Sequence, residues 1–371
     1  MIVTEIRVST CRVPLSSPIV MGELRFEARE YLVVEVRTDE GVTGIGFGMT
    51  REAPLAAIVA RNVAPFVLGA DALATEQIWE RVYNANLTIG QRGLFMRCLS
   101  AVDIALWDIK AQVAGLPLWR LLGGYRERMP VSMAGGYPRP GRTLDSLADE
   151  VDGYAAAGYP WIKIAAGPIE DDTERLRVSA DAIGGRALLA YDAHWAWRTV
   201  PSVLPTVQTW GEFDIAFIED PFPSELWRPA AVLRERSGIP LALGEDVTGR
   251  HAYRDLIAQV PPDYLRVDAT TTGGISEAVK ILAVAAAEAI PVLPHIFPEV
   301  HVHLAAALPI VMAVEVTDPA QEIDLMWNLL ADPIRPVNGW IHAPTRPGLG
   351  VDLDQAAVER FAVGRETLRR E

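Results

Sequence analysis

The chain has 371 residues, half of them hydrophobic and 22% charged, enough apolar material for a large core without disulfide staples. A net charge of −14 argues against nucleic acid and anionic membrane as partners, and the two cysteines, Cys11 and Cys98, exclude a disulfide scaffold or a Cys-built metal centre. No basic patch followed by an apolar run opens the chain, and no apolar stretch approaches the ~20 residues that span a bilayer, so the expected compartment is the cytoplasm.

In chain order, residues 31–37 alternate, 38–41 form a turn and 42–48 return, a hairpin signal. Residues 54–63 and 75–86 read as helices, the first with Pro54 suited to an opening position. A stronger helix covers 94–114, where Leu99, Val102, Leu106, Ile109 and Val113 recur at helical spacing and Gly115 stops it; the stripe reads as core packing. From about residue 130 the pattern changes. Apolar runs at 161–165, 187–192, 215–219, 240–245, 264–268, 291–295 and 313–315 alternate with helical stretches. Repeated βα units mean a parallel sheet, and this many favour a closed (β/α)8-type barrel, with the turn-rich tail 346–354 leaving it.

Six of these runs end in an ionisable residue: Asp192, Glu219, Glu245, Asp268, His295 and Glu315. The gaps of 27, 26, 23, 27 and 20 residues are one βα unit each, which places all six at the C-terminal mouth, where barrel active sites are built. One Asp after a strand is an ordinary helix cap; six in register are not. Asp192, Glu219 and Glu245 together would repel one another, and two remedies are open: pairing with some of the arginines, or a hard divalent cation, for which all-oxygen ligands point to Mg²⁺. Asp268 one unit before His295 suggests a carboxylate orienting an imidazole base. Glu315, if protonated, is placed to donate a hydrogen bond to a developing oxyanion. Lys163, one of three lysines among 34 basic residues, shares a strand face with Ala165 and is expected either to hold a substrate carboxylate or to pair with a buried acid.

The chain resembles the enolase superfamily, specifically its mandelate racemase subgroup. The resemblance rests on Tyr191-Asp192-Ala193, Phe217 to Pro221, Gly244-Glu245-Asp246, Val267-Asp268, Pro294-His295, Val314-Glu315, the helix segment 100–111 and the tail 347–352. It implies an α+β capping domain over residues 1–125, a modified TIM (β/α)8-type barrel over 126–325 and a C-terminal segment, 326–371, packing back on the cap. It also implies Mg²⁺ on Asp192, Glu219 and Glu245, a base dyad of His295 and Asp268, Glu315 as proton-donating acid, and removal of the proton α to a substrate carboxylate.

One departure shapes the functional expectation. The subgroup carries Lys-x-Lys on the second barrel strand, and its second lysine is a base; here the segment is Lys163-Ile-Ala165. With an obvious base on one face only, elimination of water from a sugar acid, giving a 2-keto-3-deoxy acid, is expected over racemisation or epimerisation of an α-hydroxy or amino acid. His194 is the candidate acid for the departing hydroxyl. The expected partner is a small-molecule carboxylate, with specificity drawn from the cap, including a loop around residues 16–25. A homo-oligomer is expected.

Overall fold

The computed structural model describes residues 1–21 and 24–370. The chain opens with three antiparallel strands, β1 (Val3–Met21), β2 (Leu24–Thr38) and β3 (Thr43–Met49). The expected hairpin is β2–β3, closed by a backbone hydrogen bond from Thr38 N–H to Val42 O at 3.0 Å. β1 was not foreseen as a strand. It pairs with β2 from Val3 to Pro14 and again at Ile19–Phe26 across an irregularity, so the described part of the expected 16–25 loop is the far end of a long hairpin; residues 22 and 23 lie outside the described residues.

The helix Leu94–Val113 packs across β3. Gly44 and Gly46 permit this approach, because a Cβ on either would overlap the carbonyls of Ala105 and Ala101. The predicted stripe is buried from Leu99 to Ile109, but Val113 is exposed where the helix runs out. On its other side this helix meets the barrel: Ser100 Oγ accepts from the Gly273 and Gly274 N–H groups at 2.9 and 3.1 Å, and Asp103 accepts from Ser276. The expected helix at 54–63 is instead an α turn, Leu55–Ile58, followed by a π turn, Val59–Val63, and a further α turn, Ala64–Val67. Pro65 lacks the N–H an unbroken α ladder would need.

The barrel strands follow: β4 (Arg128–Gly135), β5 (Trp161–Ala165), β6 (Leu188–Asp192), β7 (Ile218–Glu219), β8 (Leu241–Leu243), β9 (Tyr264–Val267), β10 (Val292–Pro294) and β11 (Val314–Thr317). They run parallel in chain order, with β11 returning to β4. Val292 completes the circle, donating to Ile310 O at 3.0 Å and accepting from Met312 N–H at 2.9 Å. Interior side chains come from alternate strands in layers. Near the bottom, Trp161, Phe217 and Tyr264 lie with centroids 5.4–6.1 Å apart. Ala190, Ala242 and Leu293 belong to the same apolar cluster.

Among the described residues seven α-helices connect these eight strands, and no α-helix lies between β11 and residue 340; the next is Gln355–Phe361 in the tail. Pro319, Pro333 and Pro336 interrupt that segment, which forms short 3₁₀ turns. The chain then runs through β12 (Trp340–His342), antiparallel to β4, and ends in β13 (Ala362–Arg369), which pairs with β1 and extends the cap sheet.

Candidate active site

Four of the six ionisable residues sit where their strands end: Asp192 and Glu219 are last in β6 and β7, and Asp268 and His295 immediately follow β9 and β10. Glu245 lies two residues past β8. Glu315 differs from expectation, being the second residue of β11 rather than its end. All six are gathered at the barrel mouth beneath the cap. Asp192, His194, Glu245 and His295 line a narrow cavity, and Arg29 and Arg51 reach into it from the cap.

Local backbone shape delivers these side chains. Of eleven non-glycine residues with positive φ among the described residues, seven border the site: Arg51, Glu52, His194, Trp195, Asp220, Ile296 and Phe297. Such strain persists where surrounding contacts over-determine it. Asp220, buried beside Glu219, accepts from the N–H groups of Gly244 and Glu245 at 3.0 Å each and so fixes the loop carrying Glu245.

His295 Nδ1 lies 2.9 Å from Asp268 Oδ2. The other Asp268 oxygen accepts from Thr270 N–H and Oγ1–H, both at 2.7 Å. Burial alone would raise the Asp268 carboxyl, but its bond to His295 and the histidine charges hold it down at about 2. An ionised Asp268 makes Nδ1 the protonated nitrogen and turns Nε2 toward the cavity. His295 Nε2 stands 3.2 Å from Glu245 Oε1, which also lies 3.3 Å from Arg51 Nη2. Burial, with Asp246, Glu219 and Asp192 nearby, pushes Glu245 well above the usual carboxylate range.

Lys163 and Glu315 lie against each other at 2.9 Å. Lys163 points into the barrel but is only 2% exposed and does not line the cavity. Its ammonium lies 3.2 Å from Asp192, 2.8 Å from Glu219 and 2.9 Å from Glu315, so of the two expected roles the structure realises pairing with buried acids. Burial would lower its pKa; these carboxylates instead hold it well above the ordinary lysine value. Glu315 pairs with both Lys163 and Arg266. Despite burial, Arg266 and Lys163 hold it below the usual range, and it accepts the Ile296 N–H at 3.2 Å.

Arg266 was missed by sequence reasoning. It is fully buried, with Nε 2.7 Å from Glu219 Oε1 and Nη2 2.7 Å from Glu315 Oε2. The available signal was an arginine inside a short, otherwise apolar run. His301 was also missed; its Nε2 accepts from Ala269 N–H at 2.9 Å and its Nδ1–H bonds Ile296 O at 2.5 Å, tying together the loops behind the dyad.

His194 lies on the cavity wall with its ring 4.4 Å from that of Trp195, and its backbone N–H donates to Asp192 Oδ1 at 3.0 Å. Burial lowers it to about 4, against the pull of Asp192, so the imidazole is neutral at pH 7. Ala165 packs with Ile19, Tyr137 and Ile323, so the position of the subgroup's second lysine is part of an apolar wall.

The donor set fits a divalent cation. Asp192, Glu219, Glu245 and Glu315 are buried around Lys163 and Arg266, with Arg51 against Glu245 from the cap, so four carboxyl groups meet three cationic side chains. Asp192, His194 and Glu245 bring ligand atoms within 4.8 Å of one another, as do Glu219, Asp220 and Glu245.

Comparison with known proteins agrees with this architecture. Residues 3–123 match the family described as "Mandelate racemase / muconate lactonizing enzyme, N-terminal domain", and residues 146–357 match "Enolase C-terminal domain-like". A D-galactarolactone cycloisomerase of Agrobacterium fabrum is 31% identical, covering 97% of this chain and 98% of its own. An arabinonate dehydratase of Saccharolobus solfataricus is 30% identical over 90% of both chains. A crystal structure of a racemase from Streptomyces coelicolor A3(2) with bound magnesium superposes with a TM-score of 0.89 at 27% identity, covering 96% of this chain and 99% of that one.

Proposed function

Because this chain belongs to the mandelate racemase / muconate lactonizing enzyme family of the enolase superfamily, we propose that it is a Mg²⁺-dependent dehydratase of a sugar acid, removing the proton α to the carboxylate and expelling the β-hydroxyl to give a 2-keto-3-deoxy acid. The observation that carries the reading is asymmetry: an oriented imidazole on one side of the cavity, and Ala165 in an apolar wall with Ile19, Tyr137 and Ile323 where a second base would stand.

Asp192, Glu219 and Glu245 would hold the cation, which supplies Lewis-acid stabilisation of the charge that builds on the substrate carboxylate. Asp268 keeps the proton on His295 Nδ1, so Nε2 takes the α-proton. Arg51, already against Glu245 at the cavity, provides positive charge on the cap side. Neutral His194 lies on the cavity wall as a hydrogen-bond donor to the departing hydroxyl, the imidazolium formed at His295 supplies the proton with which it leaves as water, and the resulting enol becomes the keto acid. Racemisation needs a proton acceptor on both faces of the α-carbon; the apolar wall around Ala165 offers no base, and Lys163 lies 2.8–3.2 Å from three carboxylates, off the cavity lining.

A second reading draws on the relative from Agrobacterium fabrum: the same proton abstraction followed by departure of a lactone ring oxygen, a cycloisomerisation. One experiment tests all three. Acid sugars and their lactones, each C2 epimer separately, are incubated with protein and Mg²⁺ in D₂O and followed by NMR and mass spectrometry. Dehydration yields a 2-keto acid one water lighter than the substrate, and from one epimer only. A ring-opened product isomeric with its lactone would favour cycloisomerisation. Interconverting epimers with no keto acid would establish racemisation and overturn the proposal.

A further inference from the structure

The top layer of the barrel interior is built from charges. Lys163 on β5, Glu219 on β7, Arg266 on β9 and Glu315 on β11 come from alternate strands and stand two residues above Trp161, Phe217, Tyr264 and Ala313 of the apolar cluster at the bottom. A barrel layer normally consists of four branched apolar side chains contributed in this way. Here the four alternate in sign and close on themselves: Lys163 to Glu219 at 2.8 Å, Glu219 to Arg266 at 2.7 Å, Arg266 to Glu315 at 2.7 Å and Glu315 to Lys163 at 2.9 Å. None is more than 2% exposed.

We propose that Arg266 is a positioning residue of the active site, the corner of this ionic ring that aims Glu219 at the cation and sets the path of the chain into His295. This rests on the metal and base assignments made above. Arg266 Nη1 donates to the carbonyls of Leu293 and Pro294, at 3.0 and 3.1 Å, directly before His295. One guanidinium therefore spans from β7 through β10 to β11, fixing a cation ligand, the base's backbone and Glu315 together. The geometry needs a planar fork; an ammonium is a point donor that cannot reach both carboxylates and both carbonyls. The four ring charges alternate in sign, while the carboxylates that face the cavity are Asp192, 3.2 Å from Lys163, and Glu245, 3.3 Å from Arg51. Buried ion networks of this kind contribute little net stability but are costly to break on one side.

The test is Arg266→Lys, which keeps the charge and loses the fork. Three quantities are measured: the Mg²⁺ Kd by calorimetry, the split between kcat and KM on the substrate found by the screen, and the thermal melt. A positioning role predicts a Mg²⁺ Kd raised about tenfold and kcat lowered about a hundredfold, with KM within threefold and the variant folded. Mg²⁺ affinity and kcat both within threefold of the parent would overturn the inference. So would a loss of activity matched by the loss of folded protein, with Mg²⁺ affinity per folded molecule unchanged. If Arg266→Lys does not fold, the pair Arg266→Met with Glu315→Gln, which keeps the ring neutral, takes its place under the same criteria. Should the parent turn over no sugar acid, the dehydratase reading fails, while the Mg²⁺ Kd comparison still decides the role of Arg266.

Discussion

Asp268→Asn isolates the dyad because the structure dictates how the new amide must sit. One Asp268 oxygen accepts from Thr270 N–H and Oγ1–H, both at 2.7 Å. In the variant the amide oxygen is held there, since the NH₂ group would face a backbone donor. The NH₂ then points at His295 Nδ1, 2.9 Å away in the parent. Two donors cannot share that gap, so the imidazole moves its proton to Nε2 and presents an N–H, not a lone pair, to the cavity. The base is abolished while its ring stays in place. Comparable tautomer reversal in a histidine–aspartate pair costs on the order of 10⁴ in rate, or about 5 kcal/mol of transition-state stabilisation at 1.36 kcal/mol per decade. The assay is deuterium exchange at the α-carbon in D₂O beside steady-state turnover. Exchange and kcat should fall together by three to four orders of magnitude (an estimate of roughly that size), with KM nearly unchanged, because substrate binding does not use the dyad. Turnover within tenfold of the parent would refute the reasoning.

Other outcomes follow from the same geometry. Glu245→Gln removes one of the two cavity-facing carboxyl groups, and calorimetry should show Mg²⁺ affinity reduced at least about a hundredfold, in line with loss of an ionisable ligand; unchanged affinity would move the cation elsewhere. His194→Leu should slow product formation about 10²–10³-fold, the usual cost of removing one positioned hydrogen-bond donor, while leaving α-proton exchange largely intact; equal loss of both would deny His194 its separate role. Glu299 concerns stability: it is fully buried, neither carboxylate oxygen has a hydrogen-bond partner, and burial raises it from 4.5 to about 8. Between those pH values the folded protein keeps a proton the unfolded chain has lost, so stability should fall as pH rises from about 4.5 to about 8 and level off above, by up to ~5 kcal/mol. Denaturant melts of Glu299→Met should lose that slope; parallel pH profiles for variant and parent would show that Glu299 is not its source.

The site was legible in the sequence where its logic is local. Strand-end register is a property of consecutive βα units, so Asp192, Glu219, Glu245, Asp268 and His295 announced the barrel mouth by spacing alone. The Asp268–His295 pairing could be read because consecutive parallel strands are neighbours. The register shift of β1 past Pro14 and the 3₁₀ turns that follow β11 in place of a helix could not, since both depend on packing between distant segments. Closure of the barrel decided the rest. It brings β5, β7, β9 and β11 around one axis, where Lys163 meets Glu219 and Glu315 and Arg266 completes the ring. Strand spacing states that charged residues reach the same height. Only the closed circle of strands states which charge each of them faces, because that contact is made across the barrel and not along the chain.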